Sequence, residues 1–187
     1  VKAILDQAGK KAGLIGSIGA LIGEEKVKTI NTTPESYELQ KLFYRMAEAG
    51  CEYVVMEVSS QGLKLSRTAG FVFDYGIFLN ISRDHISPWE HATLEEYLEC
   101  KSSLFRQCKV GLINVDDKKH MEILAGHTCQ VETFGFYPEA DVQIVDYHNV
   151  SRPGYMGIGY RTKVKVELEM TGGSPGEFSA YDSLAAA

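Results

Sequence analysis

The chain has 187 residues, 44% of them hydrophobic and 24% charged, a balance that supports a packed core and excludes wholesale disorder. Its 18 glycines and 5 prolines are too few for a collagen-like or low-complexity chain. The net charge of -6 argues against a general nucleic-acid binder, which carries a basic face, yet leaves room for anionic small ligands at a locally positive site. The longest apolar run, Gly13 to Gly23, is interrupted by glycines and Ser17 and falls short of the roughly 20 apolar residues of a membrane span. Val1–Asp6 lacks the apolar core of a cleavable leader. Cys51, Cys100, Cys108 and Cys129 have neither zinc-site nor redox-motif spacing, so the expectation is a reduced, cytoplasmic chain with no membrane insertion.

Residues 1–8 read as the last turns of a helix, apolar on one face, with Gly9 as its stop and no cap before it. Ala12 to Ile22 reads as one glycine-rich strand, Gly23–Lys26 as a turn and Val27–Ile30 as a short strand. Thr33-Pro34 predicts a helix start, a threonine cap followed by proline at the first helical position. Leu39, Leu42, Phe43 and Met46 continue at helical spacing to a stop at Gly50. Tyr53–Met56, Tyr75–Leu79 and Val110–Ile113 are short, continuously apolar runs, the pattern of strands buried on both faces. Thr93 with Glu96 forms a capping box for a helix running to about Cys108, and a further helix is expected near 118–125. Beyond Val131 the runs 142–145, 156–160 and 164–170 are strands with no helices between them. Residues 179–187 read as a helix just starting.

Alternating strands and helices predict an α/β fold with a mostly parallel sheet flanked by helices over 1–130, and a smaller antiparallel sheet appended over 131–178. A natural domain rarely opens and closes inside helices, so the expectation is one domain over 1–187, truncated at both ends.

In open α/β sheets ligands bind beyond the carboxyl ends of strands. Four such ends carry polar clusters: Asn31-Thr32-Thr33, Glu57 with Ser59-Ser60, Asn80 through Arg83-Asp84-His85, and Asn114 with Asp116-Asp117. Glu57 extends an apolar run, and a carboxylate there wants a cation or several donors. His85 lies a few residues past a strand end, and a Glu/His pair suits a divalent cation, although histidine is unusual for magnesium. His91, His120, His127 and His148 read as ordinary structural or surface residues. Lys101 falls on the apolar helix face shared by Leu94, Tyr97, Leu98, Leu104, Phe105 and Cys108. Either it snorkels, or it is desolvated with a lowered pKa. A neutral amine there reacts with carbon dioxide to give a carbamate, a carboxylate-like metal ligand. The helix start at Thr33-Pro34 reads as an anion site or as an ordinary cap.

Together, Asn31-Thr32-Thr33-Pro34, Met56 to Leu63 with Arg67, Asn80 to His85, Glu96-Tyr97 through Lys101 to Phe105, and Asn114 to Asp117 resemble the central, ATP-binding domain of the Mur ligases, closest to the MurE type. The resemblance implies a P-loop NTPase-like fold and an ATP-dependent acid–amino-acid ligase of peptidoglycan synthesis. Such an enzyme adds an amino acid to UDP-N-acetylmuramoyl-dipeptide through an acyl phosphate. It assigns Glu57 and His85 to one magnesium and a carbamylated Lys101 to a second, all three taking part in catalysis. It assigns Asn31, Thr32, Thr33, Ser59 and Arg67 to the muramoyl-peptide, and Asn114, Asp117 and Asp182 to the nucleotide. The family's glycine-rich Gly-Lys-Thr loop is not in this sequence, so the segment itself is expected to be inactive. Ser179 and Asp182 stand where the family usually has asparagine. A folylpolyglutamate or cyanophycin synthetase type of ligase and a non-catalytic binding or regulatory module are the alternatives.

Overall fold

The computed structural model describes residues 1–84, 86–163 and 168–187. Two compact units divide the chain, one holding Val1–Phe71 and the segment ending at Ser103, the other Val72–Asp84 and Leu104–Ala187. The expected α/β architecture is present.

The first unit opens with a short helix, α1 (Lys2–Gln7), closed by Gly9 at φ 73°. The glycine-rich run, expected as one strand, is two: β1 (Ala12–Gly16) and β2 (Gly19–Ile22) form a hairpin with Gly16 opposite Gly19. Gly19 takes φ 99° with the Val27 carbonyl pressed against it, so the chain can fold back at Ser17-Ile18 inside an otherwise apolar run. β3 (Glu25–Val27) pairs with β2, starting before the expected Val27. β4 (Tyr53–Met56) lies parallel to β1, giving the order β3-β2-β1-β4. Being the outer strand of this sheet, β4 leaves Tyr53 and Val54 exposed, which corrects the expectation of burial on both faces.

The helix α2 (Ser36–Glu48) lays Leu39, Leu42 and Met46 on Ile15, Ala20 and Ile22. Full burial of each such side chain contributes about 1.5–3 kcal/mol. Gly50, at φ 76°, ends the helix as expected. Two further helices, α3 (Ser60–Lys64) and α4 (Leu94–Ser102), pack on each other. The capping box is present: Thr93 Oγ1 accepts from Glu96 N at 3.2 Å, and Glu96 reaches back to Ala92 N at 2.6 Å. The helix is shorter than expected, because Ser103–Arg106 form a 3-10 turn and Cys108 already begins a strand.

The second unit is a six-stranded sheet, β10-β9-β8-β7-β6-β5. Its strands are β5 (Phe73–Phe78), β6 (Cys108–Asn114), β7 (Gln130–Gly135), β8 (Val142–Arg152), β9 (Tyr155–Lys163) and β10 (Leu168–Gly172). β5, β6 and β7 are parallel, and β8 joins β7 in parallel at Phe134↔Val142 before pairing antiparallel with β9. The antiparallel strands expected after Val131 are thus joined edge to edge with the parallel ones. Val164 and Val166 of the expected last strand lie outside the described residues. β5 is an outer strand, and Tyr75 is exposed on it. Between β6 and β7, the expected helix is the single turn α5 (His120–Ile123). α6 (Glu177–Leu184) covers the sheet with Ala180, Tyr181 and Leu184 against Phe134, Ile144, Ile158 and Tyr160. Among the described residues no helix is long and apolar enough to cross a membrane.

Candidate functional site

In the first unit the strand-end polar residues gather around Thr33, whose side chain is fully buried. Its Oγ1 donates to the Glu57 carbonyl at 3.0 Å and accepts from Ser59 N at 2.9 Å, so one hydroxyl fastens both ends of the turn after β4. The hydroxyl therefore does not cap α2. That helix begins at Ser36, past the expected start at Pro34, with Glu35 at its cap position and no side-chain cap bond. Arg67 Nη1 donates to the Thr33 carbonyl at 3.2 Å, and Nη2 pairs with Glu35 at 2.7 Å. Ser59 Oγ accepts from Gly62 N at 3.0 Å and caps α3. Gly62 has to be glycine for this packing, since a Cβ there would sit 2.7 Å from the Thr33 methyl. Asn31 and Thr32, half-buried, lead into this cluster from β3.

Glu57 extends β4, its amide donating to the Ile15 carbonyl at 2.9 Å. The residue is exposed, and its carboxylate lies over the β1–β2 turn, where Oε2 accepts from Ser17 N at 2.8 Å. A solvent-facing carboxylate that accepts from one backbone amide retains acceptor capacity for a hard cation.

Lys101 is half-buried on α4 with Nζ 5.2 Å from the centre of the Tyr97 ring. Burial pushes its pKa below the ordinary lysine value, favouring the neutral amine that carbamylation requires. The Tyr97 ring in turn stacks at 5.1 Å on His91, a fully buried histidine whose Nε2 is hydrogen-bonded to Ser60 Oγ at 2.8 Å. His91 read as unremarkable in the sequence, and nothing in its spacing marks it; only the fold brings it to the lysine's neighbour.

The residues expected on the nucleotide side belong to the second unit. Asn114 is buried, its Nδ2 donating to the Leu79 carbonyl at 2.9 Å and its Oδ1 accepting from Asp116 N at 3.0 Å. Asp117 accepts from Ile81 N at 2.9 Å and Lys119 N at 2.8 Å, fixing the Asn80-Ile81 loop after β5. Asp116 accepts from Phe136 N, Tyr137 N and the Tyr181 hydroxyl at 2.5, 3.1 and 3.0 Å. Burial and the Asp116 carboxylate hold the Tyr181 phenol well above its usual pKa. Asp182 is exposed on α6. His85 lies outside the described residues.

Among the described residues no three of His, Cys, Asp and Glu converge on one point. Of the three expected metal ligands, His85 is outside that set and Lys101 becomes an oxygen donor only on carbamylation. By donor chemistry the Glu57 carboxylate and a carbamate on Lys101 each suit a magnesium ion of their own, both being anionic oxygen ligands.

A mixed α/β sheet whose strand ends carry Thr33, Glu57 and Ser59 places these residues where α/β folds receive ligands. The chain belongs to the Mur ligase middle domain family, which it matches over residues 1–187. It is 39% identical over 189 aligned residues to the UDP-N-acetylmuramoyl-L-alanyl-D-glutamate–2,6-diaminopimelate ligase of Clostridium perfringens, covering 98% of this chain and 38% of that one. The ligase of the same name from Caldanaerobacter subterraneus is 38% identical, covering 100% of this chain and 38% of that one. The chain thus spans well under half the length of these relatives, which are of the MurE type. A solved structure of a ligase with that name superposes with a TM-score of 0.86 at 24% identity, over 98% of this chain and 38% of the other. The MurF ligase of Thermotoga maritima, solved in complex with ADP, gives 0.65 at 14% identity, over 99% and 39% of the two chains; both structures speak to the fold alone.

Proposed function

We propose that this chain is the central domain of an ATP-dependent ligase that joins an amino acid to UDP-N-acetylmuramoyl-dipeptide in the cytoplasmic stage of peptidoglycan synthesis. The observation that carries the reading is the family match along the whole chain, joined to the clustering of Thr33, Glu57, Ser59 and Arg67 at the strand ends. The names of the relatives make 2,6-diaminopimelate the amino acid to test first.

In this reading the terminal carboxylate of the dipeptide takes the γ-phosphoryl group of ATP, giving an acyl phosphate and ADP. The incoming amine attacks the acyl carbon, and phosphate leaves. Asn31, Thr32, Thr33, Ser59 and Arg67 form the wall that faces the muramoyl-peptide, with the Thr33 bonds holding its shape. Glu57 and His85 would hold one magnesium ion and carbamylated Lys101 a second; when bound, the metals offset the negative charge on phosphates and carboxylate. Lys101 is suited to its part because burial favours the neutral amine. Asn114 and Asp117 shape the loops on the nucleotide side, and Asp182 occupies the position of the family's adenine-holding asparagine.

The test is ligation. The full-length protein containing this chain, given ATP, magnesium, UDP-N-acetylmuramoyl-dipeptide and 2,6-diaminopimelate, should release one phosphate per amide formed; the chain alone, without a Gly-Lys-Thr loop, should release none. Preference for a folate over the muramoyl-peptide would reassign it to the folylpolyglutamate type. A second reading, a non-catalytic module of the same fold, is favoured by one observation. Ser179 and Asp182 replace the family's asparagines, and the Ser179 hydroxyl is turned to the Pro175 carbonyl at 3.2 Å. Failure of the full-length protein to bind ATP in calorimetry would favour it.

A further inference from the structure

We propose that His91 is a positioning residue for Lys101, acting through the ring of Tyr97. The inference deepens the reading of Lys101 as the reactive amine and rests on it.

A lysine side chain has four rotatable bonds, and a reactive amine has to be kept in few of their states. On α4, Tyr97 lies one turn before Lys101, and its ring forms the surface beneath Nζ at 5.2 Å. Where that ring lies decides where the amine lies. Tyr97 is buried, and its ring meets His91 with centroids 5.1 Å apart at a 38° tilt. The imidazole is fully buried, and its far nitrogen is tied to Ser60 Oγ at 2.8 Å, at the first residue of α3. Histidine suits the position because it combines a flat face for Tyr97 with a nitrogen for a buried hydroxyl. Leucine would leave Ser60 Oγ without this bond, and an amide would leave the ring uncovered.

The segment carrying His91 is itself pinned. Ser87 N donates to the His91 carbonyl at 3.0 Å, Gln61 Nε2 to the Trp89 carbonyl at 3.0 Å, and Lys64 Nζ to the Glu90 carbonyl at 2.6 Å. Two of these donors come from α3. That helix is capped by Ser59, and Ser59 is held by Thr33. An unbroken line of contacts, Thr33–Ser59–Ser60–His91–Tyr97–Lys101, thus joins the strand-end loop to the amine.

The experiment uses the chain with selectively labelled lysine and 13C-bicarbonate. In proton–carbon spectra the Lys101 ε-methylene should be displaced upfield by the Tyr97 ring, and Tyr97→Leu should abolish the displacement. His91→Gln should reduce it about twofold or more, and Ser60→Ala by less, as the lysine regains rotamer freedom. Carbamate signal on Lys101 should fall in the same order. Displacement in His91→Gln and Ser60→Ala equal to that of the parent would overturn the proposal, as would altered displacement with undiminished carbamate. If His91→Gln fails to fold by circular dichroism, Ser60→Ala decides. A parent chain with no carbamate signal would remove the reading of Lys101 while the ring displacement still judges His91.

Discussion

Glu57 and Asp116 are both carboxylates just beyond a strand, one after β4 and one after β6, and they do opposite things. Asp116 is closed in by three donors, Phe136 N, Tyr137 N and the Tyr181 hydroxyl. Glu57 faces solvent with one backbone amide on Oε2. A carboxylate whose acceptor sites are filled by its own chain is part of the scaffold, whereas one left with open sites is available to a ligand. The same contrast separates Thr33, whose hydroxyl is used twice inside the protein, from Lys101, whose burial disfavours its own charge.

Substitutions can break or sharpen this contrast, and the largest effect is expected at the filled carboxylate. Asp116→Ala leaves three donors without their acceptor and should cost about 2–3 kcal/mol, read from the urea midpoint at constant slope. Loss of less than about 0.5 kcal/mol would place Asp116 with the open carboxylates. Thr33→Val keeps the shape but removes both hydroxyl bonds in a buried site, and should cost about 1–2 kcal/mol by the same measurement. For Tyr181 the folded pKa is raised, so its contribution is full below the unfolded value of 10.0 and is lost as pH rises towards the folded one. Stability should therefore fall above pH 10.0, and Tyr181→Phe should flatten that decline in denaturation curves taken across the alkaline range. Lys101→Met removes a desolvated amine and should change stability by about 1 kcal/mol or less, in either direction, while abolishing ligation by the full-length protein. Glu57→Gln should be the mildest for folding, within about 0.5 kcal/mol, yet should lower ligation strongly. A large loss of stability with unchanged ligation would exchange its role with that of Asp116.

Local chemistry made much of the fold legible. The apolar stripe of α2 and the Thr93–Glu96 box each sit in a few neighbouring residues, and both are found where the pattern puts them. The β1–β2 hairpin was not legible, because its turn is made by glycine conformation within an apolar run. Exposure on β4 and β5 depends on strand order, which no local window contains. At the site, residue type pointed to Glu57 and Lys101. It could not say that the Thr33 hydroxyl would be spent on the turn after β4 instead of the helix after it. Nor could it separate Asn114 and Asp117, which bond to the loop after β5, from groups facing outward. His91 was invisible for the same reason: its partners, Ser60 and Tyr97, lie on two different helices.

The floor beneath the Glu57 carboxylate is Gly16, where an added Cβ would come within 2.8 Å of the carboxyl carbon. That neighbour is the tip of a flexible, exposed side chain, so an alanine at position 16 would displace the carboxylate and disturb the fold little. Glycine at 16 is thus a constraint imposed by chemistry more than by folding. In evolutionary terms the two positions are tied: glycine at 16 should persist wherever glutamate stands at 57, and drift freely in descendants that have given that carboxylate up.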